Sequence, residues 1–261
     1  GGGGRTAVPV RPTSTPTPTA TFTPTPTPTP TPISLVDMVL PAHDLVLPSE
    51  GRIEVRLGQL DSGTQNLSRE NPEARYTLGI PGNMEILAEG SYLRLITSHF
   101  PAIPDKSSAL EIEVNGSLLS AISLSQENAS SHETQIDLPS RMLDEQINTL
   151  VVRLTTGATC GDPGAILKVV IDEASLLSFG YRQSAYPSAL ERFPLPFAEQ
   201  SLLSVPVLLV LADEHSDAQL AAAATLAASL GKATGGQIEL RAIPAGEFDE
   251  RYADHHIILI G

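Results

Sequence analysis

Aromatic residues are scarce in this sequence, and tryptophan is absent. Phenylalanine, tyrosine and tryptophan together make up 4% of the 261 residues. A platform on which sugar rings stack needs broad aromatic faces, and tryptophan and tyrosine supply most of that area. The scarcity therefore argues against a protein that captures sugars tightly on an aromatic platform.

Cysteine is almost absent as well. The single cysteine, Cys160, excludes a disulfide within the chain and a metal site built from several cysteines. A catalytic thiolate needs a neighbouring base and electropositive surroundings. We therefore interpret Cys160 as a buried free thiol.

Basic residues are outnumbered by acidic ones. The chain has 16 lysines and arginines against 30 aspartates and glutamates, a net charge of −14. Nucleic acids are bound mainly by clustered lysine and arginine, and the sequence has no such cluster. We expect no nucleic-acid partner.

Long apolar runs are also missing, since none reaches the roughly 18 residues of a membrane-spanning helix. The chain starts at Gly1 without a signal segment and stops at Gly261 directly after an apolar run. We expect it to be the N-terminal fragment of a longer protein, whose signal and membrane attachment lie in segments outside it.

Residues 1–32 are rich in glycine, threonine and proline. From position 12 to 32 threonine alternates with proline, interrupted only by Ser14, Ala20 and Phe22. Proline fixes φ and removes a hydrogen-bond donor, so this tract favours an extended polyproline II conformation over helix or sheet. We predict a disordered linker over 1–32, which is either a surface stalk with glycosylated threonines or a plain spacer.

Residues 33–183 show short apolar runs separated by turn residues, which is typical of β-strands. Residues 110–114 alternate apolar and acidic side chains, and Asn115 and Gly116 follow as a type I′ hairpin signal. Eight or nine strands without a convincing helix predict a β-sandwich or jelly roll over 33–183. The predicted strands are 52–57, 74–80, 92–97, 109–114, 118–123, 134–138, 149–154, 167–171 and 175–179.

Residues 184–261 change to an α/β pattern. Residues 204–211 form an apolar run typical of a strand buried on both faces, and Ser216 can cap a helix over 218–230 that ends at Gly231. Strands at 238–243 and 257–260 complete a βαβ pattern, which predicts a parallel sheet. The helix face that we expect to be buried consists of Leu220, Ala223, Ala227 and Leu230.

Acidic and histidine pairs are the only candidates for chemistry. Asp172 with Glu173 and Asp213 with Glu214 are adjacent in sequence, whereas glycosidase carboxylates face each other from separate elements, so we interpret them as turn or surface acids. Three histidines, His215, His255 and His256, lack the spacing of a metal site. The loop at 212–217 has no glycine that would let the backbone approach a phosphate closely. We predict no catalytic residue, no cofactor and no metal.

Few residues qualify for sugar contact. The candidates are Tyr76, Tyr92, Phe100, Tyr181 and Tyr186, and aromatic residues on strands lie more often in a core than on a platform. The carbohydrate-binding residues are therefore left unassigned. Glycosylation sequons occur at Asn66, Asn115 and Asn128, of which Asn115 is better explained by its hairpin.

Several weak motifs follow one another between positions 75 and 245. They are Ser91-Tyr92-Leu93-Arg94-Leu95, the proline-broken loop from Phe100 through Ser108 with its Ser-Ser pair, Leu110 through Gly116, Ile147-Asn148-Thr149-Leu150, Cys160-Gly161-Asp162-Pro163, Ile171 through Phe179 and Phe193-Pro194-Leu195-Pro196-Phe197. In order and spacing this succession resembles the BcsB-like family, the regulatory subunits of bacterial cellulose synthase. Residues 166–168 replace the family's usual tryptophan, and the Thr-Pro tract is foreign to its better-known members.

The resemblance implies a carbohydrate-binding-like jelly roll followed by the start of a flavodoxin-like α/β domain. It also implies a non-catalytic accessory subunit, attached to the outer face of the plasma membrane, that guides the nascent glucan beside the membrane-embedded catalytic subunit. The family's label invokes cyclic di-GMP, but the sequence has no arginine-rich nucleotide pocket, so we assign nucleotide sensing to the partner. The alternatives are a stalk-displayed carbohydrate-binding module of a surface enzyme or adhesin, and an enzyme with catalytic residues beyond Gly261.

Overall fold

The computed structural model describes residues 1, 31–40, 42–43, 45, 47–60, 63–100, 108–143, 147–157, 168–185, 193–198, 201–236 and 238–261. Most of the predicted Thr-Pro linker lies outside the described residues. So do the loop after Phe100, the loop that contains Cys160, and Tyr186.

The described residues are mainly β, as predicted. Besides short 3₁₀ turns they contain helix α1 (Leu57–Leu60) and helix α2 (Asp217–Ala233). The strands are β1 (Ile33–Ser34), β2 (Ala42–His43), β3 (Glu50–Arg56), β4 (Gln65–Leu67), β5 (Glu73–Gly79), β6 (Met84–Ile86), β7 (Tyr92–Phe100), β8 (Ser108–Val114), β9 (Ser117–Ser123), β10 (His132–Asp137), β11 (Ile147–Thr156), β12 (Lys168–Ile171), β13 (Leu176–Gln183), β14 (Leu203–Ser204), β15 (Val207–Leu211), β16 (Leu240–Pro244) and β17 (His256–Ile260).

Two sheets form the β-sandwich. The larger has the order β1-β3-β13-β7-β12-β4, with β10 also paired to β7 and β6 to β13, and the smaller has the order β5-β11-β8-β9. Their inward-facing side chains share one hydrophobic core, because alternate residues of each strand point to the same face. The core includes Ile53, Val55, Leu93, Leu95, Phe179 and Tyr181 from the larger sheet and Tyr76, Leu78, Leu110, Ile112, Val152 and Leu154 from the smaller. The jelly-roll assignment is finer than this and stays a prediction.

The hairpin between β8 and β9 has the turn that its sequence predicts. Asn115 has φ 50° and Gly116 has φ 75°, the positive values that a type I′ turn requires at both central residues. The Asn115 side chain then ties the turn to β11. Its Nδ2 donates to the Met142 carbonyl at 3.0 Å and to Asn148 Oδ1 at 2.8 Å, and its Oδ1 accepts from the Thr149 amide at 2.9 Å.

One helical turn inside the β-sandwich was not predicted. It is α1, which follows β3 directly and is fixed by Gln59. Gln59 Oε1 accepts from the Arg56 amide at 2.9 Å, and its Nε2 donates to the carbonyls of Leu35 and Met38 at 2.6 and 2.7 Å. The turn therefore depends on contacts with residues about 20 positions away, which a local pattern does not reveal.

The C-terminal strands form the predicted parallel βαβ arrangement. β15 pairs in parallel with β16 on one side and β17 on the other, and all five of its residues are buried. The N-terminus of α2 is capped by Ser216, whose Oγ accepts from the Gln219 amide at 3.3 Å. A flavodoxin-like identity is finer than this parallel sheet and stays a prediction.

The C-terminus of α2 differs from the prediction, since the helix passes through Gly231 and ends at Ala233. The stop is set by Gly235 and Gly236, which both have positive φ. The Gly236 amide donates to the Gly231 carbonyl at 2.7 Å, which satisfies a carbonyl of the last turn.

The buried face of α2 also differs in part from the prediction. Ala223 packs against Leu209 and Leu211 of β15, with Leu226 and Ala227 partly buried beside it. Leu220 is instead 46% exposed, because the contact with the sheet begins one turn later, at Ala223.

A short parallel pair connects the β-sandwich with the C-terminal strands. β14 pairs with β2, so that Leu203 lies opposite Ala42. The Leu202 amide donates to the Gly79 carbonyl at 2.9 Å, and the Leu202 side chain belongs to the β-sandwich core. The chain therefore reaches β15 from a fixed position on the β-sandwich.

Replacing Asn115 by alanine should destabilise the β-sandwich by about 3 kcal/mol, because three hydrogen bonds are lost and alanine tolerates positive φ poorly. Urea unfolding measures this value. The matched control is Asn66→Ala, at an exposed position of β4, which should change stability by no more than about 0.5 kcal/mol. Equal losses in the two variants would contradict the bracing role of Asn115.

Candidate functional site

The outward face of the larger sheet carries polar side chains around one aromatic ring. β3 contributes Arg52 and Glu54, β7 contributes Tyr92 and Arg94, and β13 contributes Ser178. The Cα of Ser178 lies opposite those of both Glu54 and Tyr92. Paired residues point to the same side of a sheet, so all five lie on the side away from the core. Ser178 is 0% exposed there, whereas the other four are half-buried. We call these five residues the sheet-face cluster.

Three contacts hold the cluster together. Arg52 Nη1 donates to Ser178 Oγ at 2.9 Å, and the Arg52 guanidinium carbon lies 5.8 Å from the centre of the Tyr92 ring. The Tyr92 hydroxyl donates to Glu54 Oε1 at 3.4 Å, a long and therefore weak bond. The side chains thus fix one another, and a ligand would meet a largely ordered surface.

Small residues make room between the longer side chains. Gly180 lies opposite Arg52 on β13, two residues from Ser178, so the middle strand presents little side-chain volume between β3 and β7. Gly90 leaves space for the guanidinium, since a Cβ atom there would lie 2.5 Å from Arg52 Nη2. Leu87 closes one end, 3.4 Å from where a Cβ of Gly180 would stand.

Arg94 has an unused donor in this surface. Its Nε atom is buried and has no hydrogen-bond partner among the described residues. Its neighbours across the sheet are Leu176 on β13 and Gln135 on β10. A buried charged donor without an acceptor costs more free energy than an ordinary hydrogen bond contributes, so an oxygen supplied from outside would be stabilised here.

The chemistry of the cluster is that of binding. It combines guanidinium donors, one carboxylate acceptor, a hydroxyl and an aromatic ring, all of which recognise hydroxyl-rich ligands. Asp137 of β10 lies opposite Tyr92 and is exposed, which adds a second acceptor at the rim.

Two of the predicted aromatic candidates lie in the core. Tyr76 and Tyr181 are 1% and 0% exposed. Burial raises the pKa of Tyr181, whose hydroxyl donates to the Pro48 carbonyl at 3.3 Å. Phe100 is 78% exposed at the end of β7, outside the cluster. Tyr92 is half-buried in the cluster, and Tyr186 lies outside the described residues.

The adjacent acidic pairs lie in turns and loops. Asp172 Oδ1 accepts from the Ala174 amide at 2.8 Å in the turn between β12 and β13. Asp213 Oδ1 accepts from the Gly246 amide at 2.7 Å, which ties the loop after β15 to the loop after β16. Glu173 and Glu214 are both exposed.

Two of the candidate histidines line a cleft between the β-sandwich and β17. The cleft has a volume of about 480 Å³, and Asn83 and Gln183 of the β-sandwich face Asp254, His255 and His256 across it. His255 packs edge-on against Tyr252 with 5.3 Å between ring centres, and His256 packs edge-on against Phe197 at 5.8 Å. Burial lowers the pKa of His256.

The third histidine does not line the cleft. His215 is exposed on the loop after β15, and its Nδ1 lies 3.1 Å from the Ala212 carbonyl oxygen. Across the described parts of the chain, no three or more His, Cys, Asp or Glu side chains are grouped as a metal would need. The helices in those same parts include none with the length and apolar character to span a bilayer.

The sequons differ in how their amides are used. Asn66 is exposed on β4, whereas Asn115 is bonded within its hairpin. Asn128 Nδ2 donates to the Ser123 carbonyl at 2.8 Å, and its Oδ1 accepts from the Ser125 amide at the same distance.

Sequence reasoning missed the sheet-face cluster as a unit. The available signal was the spacing of two within two predicted strands, which places Arg52 with Glu54, and Tyr92 with Arg94, on one face of each strand. That signal does not say that the two strands lie on either side of β13. The pairing of β3 and β7 with β13 brings the four residues and Ser178 together.

Comparison with known proteins identifies the β-sandwich. Residues 51–183, slightly more than half of the chain, match the family model described as cellulose synthase BcsB, first CBM domain, where CBM denotes a carbohydrate-binding module. No curated protein matches the chain.

Solved structures give weaker likenesses. A CBM51 module from Clostridium perfringens GH95, in complex with methyl-galactose, is 12% identical with a TM-score of 0.30 over 48% of this chain and 99% of that one. A family 35 carbohydrate-binding module from an environmental isolate is 9% identical, with a TM-score of 0.21 over 43% and 65%. An acetyl xylan esterase from Butyrivibrio proteoclasticus is 13% identical, with a TM-score of 0.26 over 76% and 50%. TM-scores this low carry no argument about function.

The depressed pKa of His256 predicts a loss of stability in acid. The unfolded chain binds a proton at this histidine near pH ~6.5, whereas the folded chain binds it only at lower pH. The stability that the neutral His256 side chain contributes is therefore complete above pH ~6.5 and is lost as the pH drops below it. Urea unfolding at about pH 7.5 and about pH 5 measures the difference in stability. His256→Phe should shrink this difference, whereas His215→Gln, at an exposed position, should leave it unchanged. A difference equally large in His256→Phe and the natural protein would refute the assignment.

Proposed function

This chain belongs to the cellulose synthase BcsB family, and we propose that it is a non-catalytic accessory subunit of a bacterial β-glucan synthase. In this role the β-sandwich contacts the glucan after it leaves the membrane, and the catalytic subunit in the membrane forms the glycosidic bonds. Family membership supports an extracytoplasmic location, and we infer attachment to the outer face of the plasma membrane through segments outside this chain.

One observation carries the proposal. The matched residues 51–183 run from β3 to the end of β13 and so include most of both sheets and the whole sheet-face cluster. The part of the chain that identifies the family is therefore also the part that presents a surface suited to hydroxyl-rich ligands. A cellulose synthase supplies such a ligand, since its product is a chain of sugar units.

Weak guidance fits this surface better than tight capture. The cluster offers one half-buried aromatic ring, Tyr92, and Phe100 lies outside it at the end of β7. Stacking on aromatic rings supplies most of the affinity of a strong sugar site. A shallow polar surface can instead release and rebind a polymer that moves past it.

The remaining parts of the chain have supporting roles in this proposal. We propose that residues 1–32 are a linker, that residues 33–183 are the jelly-roll domain, and that residues 184–261 begin a flavodoxin-like α/β domain. The parallel pairing of β15 with β16 and β17 supports the last assignment. We propose that this segment is a scaffold, because the Asp213 carboxylate in the loop after β15 is already bonded to the Gly246 amide.

The purified protein should bind soluble β-glucan weakly, with a dissociation constant of about 0.1–1 mM, or roughly −5 kcal/mol. Native electrophoresis through gels that contain hydroxyethyl cellulose measures this as a retarded band, with dextran as the control polymer. Reducing sugar released from the same polymer would show a hydrolase and overturn the non-catalytic role.

Association with the synthase is tested in membranes that contain the full-length protein. It should co-purify with a tagged glucosyltransferase after mild detergent extraction, and deletion of residues 51–183 should lower the yield of exported polymer made from UDP-glucose. Glucan binding without any association would favour a stalk-displayed carbohydrate-binding module instead.

A further inference from the structure

We propose that the four half-buried residues of the sheet-face cluster, Arg52, Glu54, Tyr92 and Arg94, form the surface on which this chain binds a neutral polysaccharide. The inference rests on the accessory function proposed above. It adds the location of the contact and the residues that make it, neither of which follows from family membership.

The alternation of donors and acceptors favours hydroxyl groups as the ligand. Arg52 and Arg94 present guanidinium donors, whereas Glu54 and, at the rim, Asp137 present carboxylates. A sugar hydroxyl donates and accepts at once, so a row of them satisfies both kinds of group. An anionic sugar or a phosphate would gain from the arginines but would face two carboxylates at close range.

Arg94 carries a hydrogen-bond donor that a ligand oxygen could accept from. Its Nε is buried without a partner among the described residues, while Arg52 already donates to Ser178. The strands around Arg94 supply Leu176 and Gln135 as its direct neighbours. The Nε atom is covered in the unbound surface, so a hydroxyl oxygen reaches it when the half-buried Arg94 side chain turns outward, and the hydrogen bond that results is charge-assisted.

Tyr92 supplies the apolar part of this surface. Its ring is half-buried, whereas Leu176, opposite Arg94, is only 5% exposed. The carbon-bound hydrogens of a sugar ring are apolar and pack on the Tyr92 ring, while the hydroxyls at the ring's edge reach the arginines and Glu54. Three neighbouring strands span about 10 Å, so the surface fits a short stretch of a polymer and leaves its ends free.

The decisive variant is Arg94→Gln, and its matched control is Arg75→Gln on the outward face of the smaller sheet, where Arg75 is 61% exposed. Isothermal titration with cellohexaose and retardation in hydroxyethyl cellulose gels measure binding. We expect Arg94→Gln to weaken both by about tenfold or more, since one charge-assisted hydrogen bond is lost. Arg75→Gln should stay within about twofold of the natural protein.

A second set of variants separates recognition from folding. Tyr92→Ala removes the ring and should weaken binding by about tenfold, whereas Tyr92→Phe keeps the ring and should retain most of it. Urea unfolding of every variant shows whether the fold is intact. If Tyr92→Ala does not fold, Tyr92→Phe and Arg94→Gln still decide the question, because both leave the core unchanged.

The outcomes distinguish this inference from the function on which it rests. If the natural protein binds neither cellohexaose nor hydroxyethyl cellulose, the carbohydrate-binding role fails and the inference with it. If the natural protein binds both ligands, and the variants Arg94→Gln and Tyr92→Ala bind them as tightly as the natural protein does, only the inference is overturned. Variants that keep glucan binding but no longer co-purify with the glucosyltransferase would show that the cluster contacts protein, which also overturns it.

Discussion

Strand β7 has β10 along one edge and β12 and β13 along the other, and its register sets which residues face water. Leu93 and Leu95 enter the shared core, so Tyr92 and Arg94 must point outward. A slip of one residue would reverse every side chain and move the Arg94 guanidinium into the core. Burying an unpaired charge costs far more than a leucine gains, so the core holds the outward face in place.

The precision of the sheet-face cluster follows from this register. Arg52 and Ser178 are 126 positions apart in the chain, yet the pairing of β3 with β13 brings them to 2.9 Å. Neither loop geometry nor local sequence sets that distance. The same hydrogen-bonded ladder that stabilises the larger sheet orders the surface, so ligand binding loses little free energy in ordering those side chains.

Features that depend on local physics could be predicted from the sequence. The positive φ of Asn115 and Gly116, the alternation along β8 and the cap at Ser216 follow from preferences of a few adjacent residues. Features held by distant partners could not. The short strands β1 and β2 are of this second kind, since neither has an apolar pattern of its own. The Leu35 amide, next to β1, donates to the Glu54 carbonyl, and the Ala42 amide of β2 donates to the Leu202 carbonyl.

The contact surface was hidden for the same reason, since it takes its members from three strands that are distant in sequence. Its composition also explains why a search for aromatic platforms finds so little. Of the five aromatic residues in the described part of the β-sandwich, Tyr76, Phe179 and Tyr181 are almost fully buried in the core. At the site that we propose, recognition therefore comes mainly from arginine and carboxylate groups, with Tyr92 as an auxiliary.

The way in which those groups are already paired limits the affinity that they can give. A ligand hydroxyl that displaces Ser178 from Arg52 exchanges one hydrogen bond for another, and such an exchange contributes little free energy. Arg94 Nε gains a bond that it lacks, worth about 1.5–3 kcal/mol for a charged donor. A single such gain beside one ring yields millimolar rather than nanomolar binding. In the accessory role that we propose, a contact of this strength guides a growing polymer without arresting it.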